Sequence, residues 1–261
     1  MTEPQAVTSR DNPLLKRLRQ LAQDSTAYRK LGQVWLEGDH LCSALLLRQL
    51  QPDVGVFTAS GWLHASAELR EAARKNVLLP DVLMASVSAL ESPSGMGFLW
   101  SMPSADRLDS LAPTVVLDRV QDAGNVGSIL RSAAAFGFTQ VLAVKGTAAL
   151  WSPKVVRAGM GAHFGLRLLE GLALDGLVDL RVPLLVTSSH QGDFLHRASL
   201  PFPCAWVLGH EGQGVSPELL VRATQAIRIA QPGGEESLNV AAAAAVCLHA
   251  SAVAAAGGAD R

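Results

Sequence analysis

Three polar clusters in the second half of the chain hold residue types able to do chemistry. The first lies in "LDRVQDAGNVGSILRSAAAFGF" (117–138), where Asn125, Gly127 and Arg131 sit among small and apolar neighbours. Asn125 is suited to capping a helix, because its side-chain oxygen can accept from free backbone amides. Arg131 then falls on the second turn, and both could converge on a group above the helix N-terminus, where anions are favoured. The bland alternative is a capped helix whose arginine pairs with a carboxylate.

The second cluster is "VLGHEGQGVSPELL" (207–220). An apolar strand ends at Gly209, and Glu211, Gly212 and Gly214 follow before a Ser-Pro helix start. Glycines after a parallel strand let the backbone approach a ligand at the carboxyl edge of a sheet. A tight turn with no ligand would use them equally well. The spacing is not G-x-G-x-x-G, so a nicotinamide dinucleotide is poorly supported. The third cluster, "IRIAQPGGEESLNVAAAAA" (227–245), runs from a strand through a Pro-Gly-Gly loop to Glu235 and Glu236. Ser237 is placed to cap the helix that follows, with Asn239 in its first turn. The alanines behind let that helix pack close to another backbone, or simply make a well-capped final helix.

Other chemistries are not indicated. The seven histidines are scattered, and Cys42, Cys204 and Cys247 form no C-x-x-C pair, so no metal site or disulfide framework is expected. "VTSSHQGD" (186–193) holds serines and His190 without a G-x-S-x-G elbow.

The elements that must position these residues read as two α/β regions. Residues 1–103 begin with a basic arm, in which Arg10, Lys16, Arg17, Arg19, Arg29 and Lys30 outnumber Asp11 and Asp24. That arm is either a solvated helix face or an RNA contact. Strands at "QVWLEG", "DVGVFTAS", "NVLLP" and "GMGFLW" then alternate with helices, whose starts are marked by Asp39, Ser66 and Asp81. Residues 104–113 break the periodicity and are expected to be a linker. From 114 to 261, short apolar strands at "TVVLD", "QVLAV", "PLLVTS", "CAWVLG" and "AIRIA" imply a mainly parallel sheet buried on both faces. The last helix should begin near Ser237.

With 17% charged and 49% hydrophobic residues, the chain is expected to fold into globular domains. Its formal net charge of −1 argues against a purely electrostatic binder of nucleic acid. The N-terminus lacks the features of a signal peptide, and the alanine-rich tail is weakly apolar for a membrane span. A cytoplasmic protein with no membrane partner is expected.

Taken in order, N-x-G-x-x-x-R (Asn125, Gly127, Arg131), L-G-x-E-G-x-G (208–214) and E-S-L-N-V (236–240) strongly resemble the SpoU/TrmH family of the SPOUT superfamily. These are S-adenosylmethionine-dependent RNA 2′-O-ribose methyltransferases. The N-terminal region resembles the L30e-like substrate-binding domain of many members, through "VWLEGDHLCSALL". The resemblance implies a deep trefoil knot between about Val186 and the final helix, and a homodimer through the methyltransferase domain. It implies ribosomal RNA ahead of transfer RNA as substrate, and not DNA. A non-catalytic, knotted RNA-binding factor is the alternative of a different class. Two positions depart from the family pattern: His210 replaces Asn or Ser, and Ala230-Gln231 replaces Pro-Met.

Catalytic roles are implied for Asn125, Arg131, Glu211, Ser237 and Asn239, with Glu211 holding Arg131 or positioning the dimer partner. Cofactor contacts are implied for Thr187, Leu208, Gly209, Gly212, Ile229 and Leu238. Arg10, Lys16, Arg17 and Arg19 would grip RNA. The family arginine is cast as a general base. A guanidinium is effectively always protonated, so a fixed charge that stabilises the deprotonated hydroxyl is the better chemical reading.

Overall fold

The computed structural model describes residues 3–103, 107–188, 191–233 and 237–259. Residues 104–106 of the expected linker, His190, and the acidic pair Glu235 and Glu236 lie outside the described residues. In chain order the elements begin with β1 (Gln5–Ala6), α1 (Pro13–Gln23), α2 (Ala27–Leu31), β2 (Gln33–Glu37) and α3 (Asp39–Leu47). Next come β3 (Val54–Phe57), α4 (Ala59–His64), α5 (Ala67–Glu71), β4 (Lys75–Leu78), α6 (Asp81–Val87) and β5 (Met96–Ser101). The middle of the chain holds β6 (Thr114–Leu117), α7 (Ala123–Ala135), β7 (Gln140–Val144), α8 (Pro153–Gly159) and β8 (Arg167–Leu172). The last elements are β9 (Leu184–Thr187), β10 (Asp193–Phe194), β11 (Ala205–Leu208), α9 (Pro217–Arg222), β12 (Gln225–Arg228) and α10 (Val240–Ala259).

These elements form two compact units, 1–104 with Trp151–Phe164, and 105–150 with 165–261. The first carries a five-stranded mixed sheet in the order β1-β4-β3-β5-β2. Strands β1, β4 and β3 run parallel, and β5 is antiparallel to both β3 and β2. Gly97 is small by necessity, since a Cβ there would come within 2.3 Å of the Trp35 ring. Ser66 caps α5 as expected, its hydroxyl accepting from Leu69 N at 3.3 Å. Asp39 and Asp81 instead stand one residue inside their helices, after Gly38 and Pro80. There their charge complements the helix dipole without capping it.

The segment 151–164, which the sequence places with the second region, clusters with the first unit. Aromatic packing accounts for this: Trp100 lies 5.9 Å from Trp151 and 5.7 Å from Phe164 between ring centroids.

The second unit is built on a seven-stranded sheet in the order β10-β12-β9-β11-β6-β7-β8, with every pair parallel. Central strands β6, β7 and β11 are buried along their whole length, which is why they read as unbroken apolar runs. Val116, Leu142, Val186, Val207 and Leu219 share one core cluster. Strands β8 and β10 escape the sequence pattern, because one is an only partly buried edge strand and the other has two residues. All strands run parallel, so β6, β9, β11 and β12 deliver their carboxyl ends to one edge, where ligands bind in such sheets.

Helix α10 packs on α7 and β11. Its buried stripe is Ala244, Cys247, Leu248 and Ser251, spaced for one helical face. Ser251 Oγ there accepts from the indole N–H of Trp206 at 2.8 Å. Val240–Gly257 has the length and mean hydropathy, 1.8, of a membrane span, but that stripe belongs to the core of this unit.

Candidate active site

The site begins at the end of β6. Asp118 is 1% exposed, and its Oδ2 accepts from Ser216 N at 2.6 Å. Arg119 adopts a left-handed φ of 62°. Its Nε donates to Asp118 Oδ1 at 2.9 Å and its Nη1 to Gln213 Oε1 at 3.0 Å. These bonds pin the loop after β11 to the loop after β6, and the Asp118 carboxylate pushes the Arg119 guanidinium further up. Neither residue is among the motif positions Asn125, Gly127 and Arg131, although "LDR" opens the same stretch.

Helix α7 is capped by Asp122, whose Oδ1 accepts from Asn125 N at 2.7 Å. This corrects the expected cap, and it moves Arg131 from the second turn to the third. It also releases the Asn125 side chain for longer-range bonds. Asn125 Nδ2 donates to Glu211 Oε1 at 3.1 Å, and Asn125 Oδ1 accepts from Asn239 Nδ2 at 2.9 Å. Asn239 Oδ1 in turn accepts from Ala241 N at 2.9 Å and Ala242 N at 3.2 Å. So Asn239, not Ser237, caps the final helix, which starts at Val240.

Glu211 also accepts from Gln121 N at 3.2 Å and Asp122 N at 3.1 Å. Partial burial pushes its carboxyl up. The bonds from its own amide, from Asn125 and from the two loop amides outweigh that and hold it below the ordinary glutamate range. Glu211 therefore organises backbone and Asn125, and it is not the partner of Arg131. The Arg131 side chain is exposed and makes no hydrogen bond or ion pair among the described residues.

The loop after β11 is shaped by His210. Its backbone pairs with Gly214 in both directions, at 3.0 and 2.8 Å. Its Nδ1 accepts from Gly212 N at 2.9 Å and Gln213 N at 3.2 Å, which assigns the proton to Nε2. Gly209 admits no side chain, since a Cβ would meet Gly214 C at 2.2 Å.

These loops enclose a cleft of 730 Å³. Of the residues singled out in the sequence, Thr187, Gly209, Glu211, Gly212, Ile229, Ser237, Leu238 and Asn239 line it. Thr187 Oγ1 donates to Val207 O at 3.1 Å. Leu208 is not in the lining: its side chain is fully buried in the core, and its carbonyl accepts from Asp118 N at 2.8 Å. Asn125 and Arg131 also stand outside the lining, with Asn125 joined to it through Glu211 and Asn239. Ser188, Gln191, Ile227 and Gln231 also line it. The alternation of Ile227 and Ile229 was legible in the sequence, whereas Ser188 and Gln191 come from a segment it set aside.

In the N-terminal arm, Lys16 pairs with Asp11 at 3.2 Å and Arg17 Nη1 donates to Gln33 at 3.2 Å. Arg19 is half-buried, its guanidinium bonded to Ser86 Oγ at 3.1 Å and to Arg10 O at 3.2 Å, so it ties α1 to α6. The Arg10 side chain is exposed. Among the described residues, no cluster of His, Cys, Asp and Glu is arranged to hold a metal ion.

Residues 112–249 match the model of the SpoU rRNA Methylase family. Over 259 residues the chain is 32% identical to an uncharacterized tRNA/rRNA methyltransferase of Synechocystis sp., covering 94% of this chain and 92% of that protein. It is 28% identical over 175 residues to the 23S rRNA (guanosine(2553)-2′-O)-methyltransferase of Bacillus subtilis, covering 66% and 70%. An RNA methyltransferase of the TrmH family from Porphyromonas gingivalis superposes with a TM-score of 0.80 at 31% identity, over 91% of this chain and 96% of that one. The SpoU methyltransferase AviRb from Streptomyces viridochromogenes, solved with AdoMet, shares the fold with a TM-score of 0.82 at 20% identity, over 95% and 100%.

Proposed function

The chain belongs to the SpoU rRNA methylase family, and we propose that it methylates a ribose 2′-hydroxyl of ribosomal RNA with S-adenosylmethionine as methyl donor. One observation carries this reading. Glu211, Asn125 and Asn239, one from each motif, are joined by direct hydrogen bonds at the rim of a cleft.

The cleft fits the cofactor. Its volume suits a nucleoside-sized ligand, Ile227, Ile229 and Leu238 offer an apolar wall, and the Gly209 backbone is bare where a Cβ would collide with the neighbouring strand of the loop. When bound, S-adenosylmethionine supplies a methyl group on a sulfonium sulfur. The chain's own residues then position the acceptor. Arg131, cationic and without a partner among the described residues, stabilises negative charge developing on the 2′-oxygen and holds an adjacent phosphate. Asn239 and Ser237 orient the ribose. A substrate lacking the 2′-hydroxyl has no acceptor, which makes RNA and not DNA the partner.

The finer architecture goes with this reading. Val246 and Val253 are 43% and 55% exposed on α10, which supports a homodimer through the methyltransferase unit. The strand order, with β11 between β9 and β6, supports a trefoil knot from Val186 to α10. The mixed α/β unit with its basic arm supports an L30e-like RNA-binding domain, with Arg10, Lys16 and Arg17 facing solvent; the cytoplasm is the site of action that goes with this reading.

The test is incubation with radiolabelled S-adenosylmethionine and total RNA from a strain lacking the gene. Label in ribosomal RNA as an alkali-resistant dinucleotide is expected. Label confined to transfer RNA would move the substrate, and none at all would leave a non-catalytic RNA-binding protein.

A further inference from the structure

A basic and aromatic stack occupies the edge of the second unit's sheet, outside the cleft. The Arg228 guanidinium lies 4.0 Å from the Phe194 ring centroid. The His196 imidazole stacks on the same ring, at 5.6 Å and 30°. Phe194 and Arg228 are registered partners in the parallel pair of β10 and β12, so they share one face of the sheet. The acidic neighbour Asp193 shares the other face with Gln225, whose Nε2 donates to it at 3.1 Å.

The Arg228 side chain makes no hydrogen bond or ion pair among the described residues, and its Nε is buried. A guanidinium whose stem is covered and whose in-plane N–H groups lack an acceptor is set up for an anion. His196 and Arg197 are exposed beside it. Strand β10 is the outermost strand of the sheet, and among the described residues no further strand of this unit covers it.

Position relates the stack to the cleft. Gln191 lines the cleft and Phe194 follows three residues later, within about 10 Å along the chain; Ile227 lines it from the other face of β12, so the Arg228 side chain stands on the opposite face of the same edge strand pair. We propose that Phe194, His196, Arg197 and Arg228 form a platform that holds an unpaired nucleotide of the substrate RNA next to the one being methylated. The inference rests on the RNA-methylation reading above. A phosphate meets the edge of the guanidinium while a base stacks on the imidazole and ring system, a combination that suits single-stranded RNA. An acidic protein would satisfy the charges but leave the π-faces unused.

The experiment uses the full chain, the double variant His196→Ala/Arg197→Ala, and Arg228→Lys, which keeps the charge and loses the planar fork. Steady-state transfer gives KM for RNA and kcat, calorimetry gives affinity for S-adenosylhomocysteine, and RNA affinity is followed against salt. KM for RNA should rise about tenfold in both variants, and in His196→Ala/Arg197→Ala the salt slope should fall by about 1 for each phosphate no longer neutralised. The kcat and S-adenosylhomocysteine affinity should stay as in the wild type. An unchanged KM and salt slope in both variants would overturn the platform while leaving methylation intact. If the wild type methylates no RNA, binding of a fluorescein-labelled oligouridylate decides. Loss of binding in the variants keeps the platform, and equal binding, or tighter binding of polyglutamate, refutes it.

Discussion

The side-chain amide of Asn125 and the carboxylate of Glu211 meet at 3.1 Å although 86 residues of chain separate them. Through the other end of the same amide, Asn125 reaches Asn239, which caps α10. One asparagine thus couples the start of α7, the loop after β11 and the start of the final helix. The cleft has its shape only when all three are in register.

Replacing Asn125 with Ala should therefore hurt catalysis more than folding. The lost bonds are partly solvated, so stability should fall by only about 1 kcal/mol. Misplacement of Glu211 and Asn239 should lower kcat/KM about 100-fold. Parallel thermal melts and transfer assays measure both, and a drop in Tm with full activity would contradict the coupling.

Arg131→Ala should leave the structure almost untouched. The side chain is exposed and bonds to no described residue, so Tm should move by about 1 °C or less. Methyl transfer should fall about 100- to 1,000-fold, with cofactor affinity retained. Lysine at this position should recover little, because it lacks the planar fork. Full rescue by lysine would show that charge alone suffices.

Glu211→Gln gives a pH signature. Hydrogen bonds hold the folded carboxyl below the ordinary glutamate range, near 4.3 in its unperturbed form by approximate reference values. A depressed folded pKa contributes stability above the unfolded pKa, and that contribution is lost as pH falls through the folded one. The Tm of the wild type should exceed that of Glu211→Gln by its widest margin at neutral pH. The two curves should converge below about pH 4; a gap independent of pH would mean that the charged form gains nothing from its donors.

Gly209→Ala places a methyl group 2.2 Å from Gly214 C, against the Gly214–Val215 peptide. The loop must shift, at a cost of about 1–3 kcal/mol. S-adenosylhomocysteine affinity should weaken about tenfold or more, measured by calorimetry. Retained affinity would show that the cofactor does not use this backbone.

Glutamate at both Val246 and Val253 should turn the proposed dimer into monomers, seen by sedimentation. These side chains face outward from the buried stripe of α10, so the fold of each subunit should survive. A wild type that sediments as a monomer would remove the dimer proposal.

Sequence reading found the strands whose side chains are buried on both faces, because burial writes itself as apolar runs in β6, β7, β9 and β11. It lost β10, too short to carry a period, and β8, whose partly buried residues at the edge dilute the pattern. Within the site, residue types at motif spacing identified Asn125, Glu211 and Asn239. Their wiring was not legible, since Asp122 and Asn125 are both good caps and only the fold decides which one stands at the helix start. The Leu208 side chain illustrates the same limit. Strand alternation cannot tell which end residue turns its carbonyl to the loop and its side chain to the core.

The place of β11 between β6 and β9 has a consequence for synthesis on the ribosome. Strands β6, β7 and β8 can pair as soon as they emerge, but the free edge of β6 must wait for β11, roughly 90 residues later. At ordinary translation speeds that is about 5–20 seconds. For that interval the nascent chain offers a bare apolar edge, a template for pairing between neighbouring chains on a polysome. The yield of soluble protein should therefore track chaperone supply and elongation rate, and it should improve when codons before Ala205 are translated faster.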